Sequence, residues 1–174
     1  MTRALLFAAM ALAVMALCAS AAMPQRLQSQ VLVVYNPSDS VPRGWYRITP
    51  ADSLHVGSIV LARLPAAAAA LASQRGYLPA SVPILKRIGA VAPQSVCVHE
   101  RIVEVDGTVA AVARTHDGAG RPLPVWPQCR QLVDGELFLL SNTNPASFDS
   151  RYFGPIAATA VIGSAQPLWT WSTP

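Results

Sequence analysis

Charge is scarce in this chain. Only 13% of its 174 residues are charged against 52% hydrophobic, and of the 13 basic residues Lys86 alone is a lysine. So apolar and weakly charged a chain does not read as disordered. The cations never gather into a run, so the net charge of +4 carries no nucleic-acid footprint. Because a guanidinium stays protonated in a protein, Lys86 is the one side-chain amine available as a base.

The common catalytic signatures are missing as well. The chain has no Gly-x-Ser-x-Gly elbow, Walker loop, dinucleotide fingerprint or His-Glu-x-x-His helix. Its three histidines, His55, His99 and His116, do not sit in settings that suggest a Ser/His/Asp triad. Cysteine is confined to Cys18, Cys97 and Cys129, too few for a disulfide-built scaffold. Only His99 lies near Cys97 in sequence, so neither a metal site nor a cofactor is expected.

What is present begins with an apolar run. Residues 4–23 contain no charge and are flanked by Arg3 and by Pro24, Gln25 and Arg26. A helix of that length spans about 30 Å, the thickness of a bilayer core. The expectation is a retained membrane anchor over residues 1–23; the alternative is a cleavable secretory signal with Ala19-Ser20-Ala21 as its small-residue site. Both place residues 24–174, the size of one compact domain, outside the cytoplasm. An oxidising compartment there favours a Cys97–Cys129 disulfide, worth about 3 to 4 kcal/mol by loop closure.

Along that domain, Val31-Leu32-Val33-Val34-Tyr35 reads as a strand stopped by Asn36-Pro37. Further strands are expected at residues 44–48, 58–63, 84–88 and 95–98, with 102–109 turning at Asp106-Gly107. Pro65 followed by the alanines of 66–72 predicts one short helix that Gly76 can end. Residues 115–127 read as a long exposed excursion, 137–140 as a buried strand, and 158–162 as the last strand. The fold class is therefore mostly β, antiparallel, with one short helix.

Three segments carry chemistry. Asn36-Pro37-Ser38-Asp39-Ser40-Val41-Pro42-Arg43-Gly44-Trp45-Tyr46 sets two hydroxyls two residues apart directly after an apolar strand. Lys86 lies within Pro83-Ile84-Leu85-Lys86-Arg87-Ile88-Gly89, where burial would penalise its charged form and lower its pKa. The third segment, Ser147-Phe148-Asp149-Ser150-Arg151-Tyr152-Phe153-Gly154, is dense in hydrogen-bonding groups and can orient a neutral amine. Each alone also fits an ordinary turn, strand-edge lysine or capped loop.

Together they resemble the S26 signal-peptidase family, most closely its TraF-type branch of conjugative-transfer peptidases. Asn36, Ser38, Ser40, Pro42, Gly44 and Tyr46 satisfy the branch's nucleophile box; Leu85-Lys86-Arg87 fits its lysine box, and residues 147–154 its third box. The resemblance implies a barrel-like signal-peptidase domain with Ser40 as nucleophile and Lys86 as general base. It further implies an oxyanion hole from Ser38 and the Ser40 N–H, Ser147 bound to the amine, and Asp149 with Arg151 bracing the site. The implied enzyme is a single-pass protein of the bacterial inner membrane, its catalytic domain in the periplasm. It would process a pilin precursor, with cyclisation of the product as a further step that the resemblance implies. A general leader peptidase or an inactive scaffold of a secretion channel would share the same boxes. Two departures stand out: Pro93-Gln94-Ser95 replaces the usual Pro-Gly-Asp, and Asp39 brings a negative charge that must point outward or be compensated to spare the lysine.

Overall fold

The computed structural model describes residues 32–171; the apolar run at 4–23, and with it the expected anchor, lies outside the described residues. Among those described, no helix is long and apolar enough to cross a membrane. The chain runs β1 (Leu32–Asn36), β2 (Arg43–Thr49), β3 (Ile59–Ala62), α1 (Ala66–Gln74), β4 (Ile84–Val91), β5 (Ser95–His99), β6 (Ile102–Val105) and β7 (Thr108–Val112). It continues through β8 (Cys129–Gln131), β9 (Glu136–Leu140), α2 (Ser150–Phe153), β10 (Ile156–Ala157), a 3-10 turn at Ala158–Ala160 and β11 (Val161–Trp171). The strands form a seven-stranded sheet ordered β1-β2-β11-β3-β4-β9-β10 and a four-stranded sheet ordered β7-β6-β5-β8. Every pairing is antiparallel, as the sequence pattern implied.

Strand β4 decides where the lysine goes. It lies inside the larger sheet between β3 and β9, with Lys86 opposite Val60. Side chains alternate along a strand, so Lys86 shares a face with Ile88, which is fully buried with Val60 and Leu139; a bulge beyond Ile88 turns Ala90 to the other face. A lysine on a central strand among such neighbours cannot reach solvent the way one on an edge strand would. The opposite face packs Leu85 against Val41, Tyr46 and Leu61, which draws the segment after β1 onto β4.

Two turns show how local chemistry fixes the smaller sheet. Asp106 and Gly107 both have positive φ, 49° and 77°, the twist required by a two-residue hairpin between β6 and β7. The β5–β6 hairpin uses the same geometry at Glu100 and Arg101, where no glycine announces it. Cys97 on β5 and Cys129 on β8 stand opposite each other and are joined by a disulfide. His99 places a ring nitrogen within 4.8 Å of both sulfurs, which are already spent on one another.

The structure departs from expectation at the C-terminal side. The last strand starts at Val161 rather than 158 and runs to Trp171, and a second, four-residue helix α2 follows Asp149. Strand β11 pairs with both β2 and β3, its register shifting between Pro167 and Trp169. Gly44 on β2 is required by that pairing. Its φ is 142°, and a Cβ there would stand 2.1 Å from the Trp169 carbonyl oxygen.

Candidate active site

The segment between β1 and β2 is organised by one side chain, Asn36. Its Nδ2 donates to the carbonyls of Ser38 (2.9 Å), Val41 (3.0 Å) and Pro42 (3.2 Å). Its Oδ1 accepts from the Ser38 backbone N–H (3.2 Å) and hydroxyl (2.9 Å). One buried amide therefore satisfies most of the polar backbone of a tight turn that the strands cannot. Tyr46 closes the turn by donating its hydroxyl to the Pro42 carbonyl at 2.6 Å. The sequence pattern alone gives Asn36 no such mechanical role.

Within this frame the Ser38 and Ser40 hydroxyls lie 2.9 Å apart. Ser40 is 6% exposed and donates to the Leu85 carbonyl at 3.1 Å, which ties the first segment to β4 one residue before the lysine. Lys86 is 5% exposed, and its amine donates to Ser147 Oγ. Ser40 Oγ and Lys86 Nζ are not hydrogen-bonded to each other, but both line one cavity of about 930 Å³, together with Ser38 and Ser147.

Burial pushes the Lys86 amine down to about 8; Asp149 partly opposes this and Arg151 reinforces it. Asp39 is turned into a two-point contact with Arg43, at 2.6 and 2.8 Å. The negative charge that the sequence placed beside the serines is thus compensated within its own turn.

The third segment supports Ser147 from behind. Asp149 is fully buried, caps α2 by accepting from the Arg151 N–H, and accepts from the Ser141 N–H at 3.0 Å. Arg151 is 1% exposed and grips Asp149 through Nε (2.7 Å) and Nη2 (2.8 Å). Its remaining hydrogens go to the carbonyls of Val112 (3.1 Å), Pro145 (3.0 Å) and Ser147 (2.9 Å). Ser147 is therefore held by its backbone while its hydroxyl meets the lysine. Thr143 joins this loop to the first by donating to the Asp39 carbonyl at 2.6 Å. Ser150, unnoticed in the sequence, accepts the Leu139 N–H at 2.9 Å and anchors α2 to β9.

The three segments that the sequence singled out thus converge on one cavity. Comparison with known proteins agrees with that convergence: the sequence model of the family described as signal peptidase, peptidase S26, matches residues 3–171. The chain belongs to this family. It is 35% identical over 147 residues to a protein named probable conjugal transfer protein TraF from Sinorhizobium fredii, covering 79% of this chain and 77% of that one. It is 32% identical over 146 residues to a plasmid transfer protein TraF from Escherichia coli, covering 78% and 82%. These relatives put it in the TraF branch of the S26 peptidases. Among solved structures, a signal peptidase I from Enterococcus faecalis aligns over 65% of this chain and 97% of its own at a TM-score of 0.35 and 19% identity.

Proposed function

We propose that this S26 chain is a membrane-bound serine endopeptidase in which neutral Lys86 takes the proton of Ser40. The observation that carries the reading is a buried amine, depressed to about 8 and oriented by Ser147, facing the same cavity as a buried serine. For the first step the Ser40 hydroxyl swings off the Leu85 carbonyl toward the amine and its oxygen attacks a peptide carbonyl. Ser38 Oγ and the Ser40 N–H receive the developing oxyanion, a contact worth about 3 kcal/mol per donor in such sites. The protonated lysine then gives its proton to the leaving amine, and water resolves the acyl-enzyme. The substrate's own terminal amine is an alternative acceptor that would close the product into a ring.

Conjugal and plasmid transfer in the relatives' names supports a pilin precursor as the substrate. The apolar run at 4–23 supports a single-pass anchor in the inner membrane with the domain on the periplasmic side. A serine-directed acylating probe should label the wild-type protein on the tryptic peptide that ends at Arg43, with labelling lost in Ser40→Ala. Absence of labelling in folded wild-type protein would favour the inactive-scaffold reading. A general leader peptidase would be told apart by its clientele: co-expressed secretory precursors unrelated to pilin would be cleaved as well.

The lysine also fixes a pH dependence. A base with a pKa of about 8 is neutral in only about a tenth of molecules at pH 7 and half at pH 8. kcat/KM should therefore rise close to tenfold per unit below pH 8 and level off above it. A flat profile between pH 6 and 8 would remove Lys86 from the proton transfer.

A further inference from the structure

The cavity that holds Ser40 and Lys86 has a second polar region, built from the loop after α1 and the excursion between β7 and β8. Here Asp117 ties the two segments together. Its side chain, 7% exposed, accepts the Tyr77 hydroxyl, Arg121 Nε (2.7 Å) and the backbone N–H groups of Ala119 and Arg121 (both 2.9 Å), and it lies 3.6 Å from Arg75 Nη1. These donors hold its carboxyl well below the usual carboxylate range, Tyr77 contributing most. Asp117 is the one carboxylate lining the cavity among the described residues, and Arg75 and Arg121 outweigh its charge.

Arg114 lines the same region and is left over. Its backbone is fixed at both ends: its N–H donates to the Tyr152 hydroxyl at 3.1 Å, and its carbonyl accepts from Arg101 Nη1 at 2.7 Å. Its guanidinium makes no hydrogen bond or ion pair among the described residues. A forked donor on a pinned backbone, in a cavity whose carboxylate is already saturated, fits a carboxylate brought by a ligand. Apolar residues of the same cavity, Leu64, Leu78 and Val82, would line the path of the peptide leading there.

We propose that Arg114 is an anion-reading residue of the substrate groove, recognising a carboxylate on the substrate peptide, from either an acidic side chain or a free chain terminus. The proposal rests on the reading of this cavity as a peptide-binding groove and adds to it a charge preference. Asp117, Tyr77 and Arg121 act indirectly by holding the excursion against the α1–β4 loop, so that Arg114 stays on the groove wall.

The test is a binding measurement on the Ser40→Ala protein, by fluorescence anisotropy with fluorescein-labelled peptides of small and apolar residues. One set walks a glutamate along the peptide against glutamine at the same place; another compares a free C-terminal acid with its amide. The expected result is that one acidic form binds about tenfold tighter than its neutral counterpart at low salt, a gain that shrinks as salt screens the contact. Arg114→Glu should erase the preference and Arg114→Lys keep part of it. The set that shows the gain tells a side-chain carboxylate from a chain terminus. Acidic and neutral forms equal within twofold, or a preference that survives Arg114→Glu, would overturn the assignment. Failure of the catalytic reading would look different: an unlabelled wild-type serine with the acid preference intact.

Discussion

Lys86→Met is expected to abolish turnover and at the same time make the folded domain more stable. Loss of a general base that activates a nucleophile costs roughly 10³- to 10⁴-fold in rate, because the serine hydroxyl alone is a poor nucleophile at neutral pH. Stability should move the other way. A lysine held near 8 binds its proton more weakly folded than unfolded, so charging it disfavours the folded state by about 3 kcal/mol at pH 7. That penalty is fully present below pH 8, is nearly gone at pH 10.5, where the unfolded lysine is half neutral, and vanishes above it. Methionine fills nearly the same volume without the charge, and the Ser147 hydroxyl loses its partner at a cost of about 1 kcal/mol. A net gain of about 1 to 2 kcal/mol at pH 7 follows, or a Tm rise of roughly 2 to 8 °C for a domain this size. Thermal melts at pH 6.5 and 10.5 check the sign, since the gain should be present at the first and absent at the second. A variant that is inactive but equally destabilised at both pH values would mean that the lysine is structural.

Part of this site is legible in the sequence. Lys86 stands out because it is the chain's one lysine and sits in an apolar run, but that run fits a strand-edge lysine as well; its burial, and the shift that burial causes, follow from the central place of β4 in the sheet. The serines and the third segment were legible as spacings. What spacing could not give was how the segments hold each other. Asn36 reads as a turn residue, yet it makes four hydrogen bonds to backbone groups up to six residues away and a fifth to the Ser38 hydroxyl, a geometry visible only once the turn closes. Strand β11 was foreshortened for a related reason. Gly163, Gln166 and Pro167 interrupt any run of strand-forming residues, and a proline within a strand reads as an end. The chain tolerates it because the register shifts just beyond Pro167, where no ladder hydrogen bond from its nitrogen is needed. The β5–β6 hairpin escaped notice because Glu100 and Arg101 adopt the positive φ that glycine and asparagine usually signal.

The other large effect is expected at Arg151, which does not line the cavity. Its guanidinium neutralises Asp149, which is 0% exposed, and supplies donors to four carbonyls, including that of Ser147. Arg151→Met leaves a buried carboxylate without its counter-charge and those carbonyls without their side-chain donor, the case in which breaking half of an internal ion pair costs about 3 to 5 kcal/mol. Against a domain stability of roughly 5 to 15 kcal/mol, that should lower Tm by about 10 °C or more. Pairing the change with Asp149→Asn separates charge from packing. Removing the stranded charge should recover a substantial part of the Tm, whereas the Ser147 carbonyl remains unheld and the lysine's partner stays loose. The double variant is therefore expected to fold better than Arg151→Met and still cleave poorly, with an acid limb displaced from 8 because both charges that bias the amine are gone. Should the double variant recover full activity with the wild-type pH profile, the pair would be a device for folding alone, and the orientation of Lys86 would have to come from Ser147 unaided.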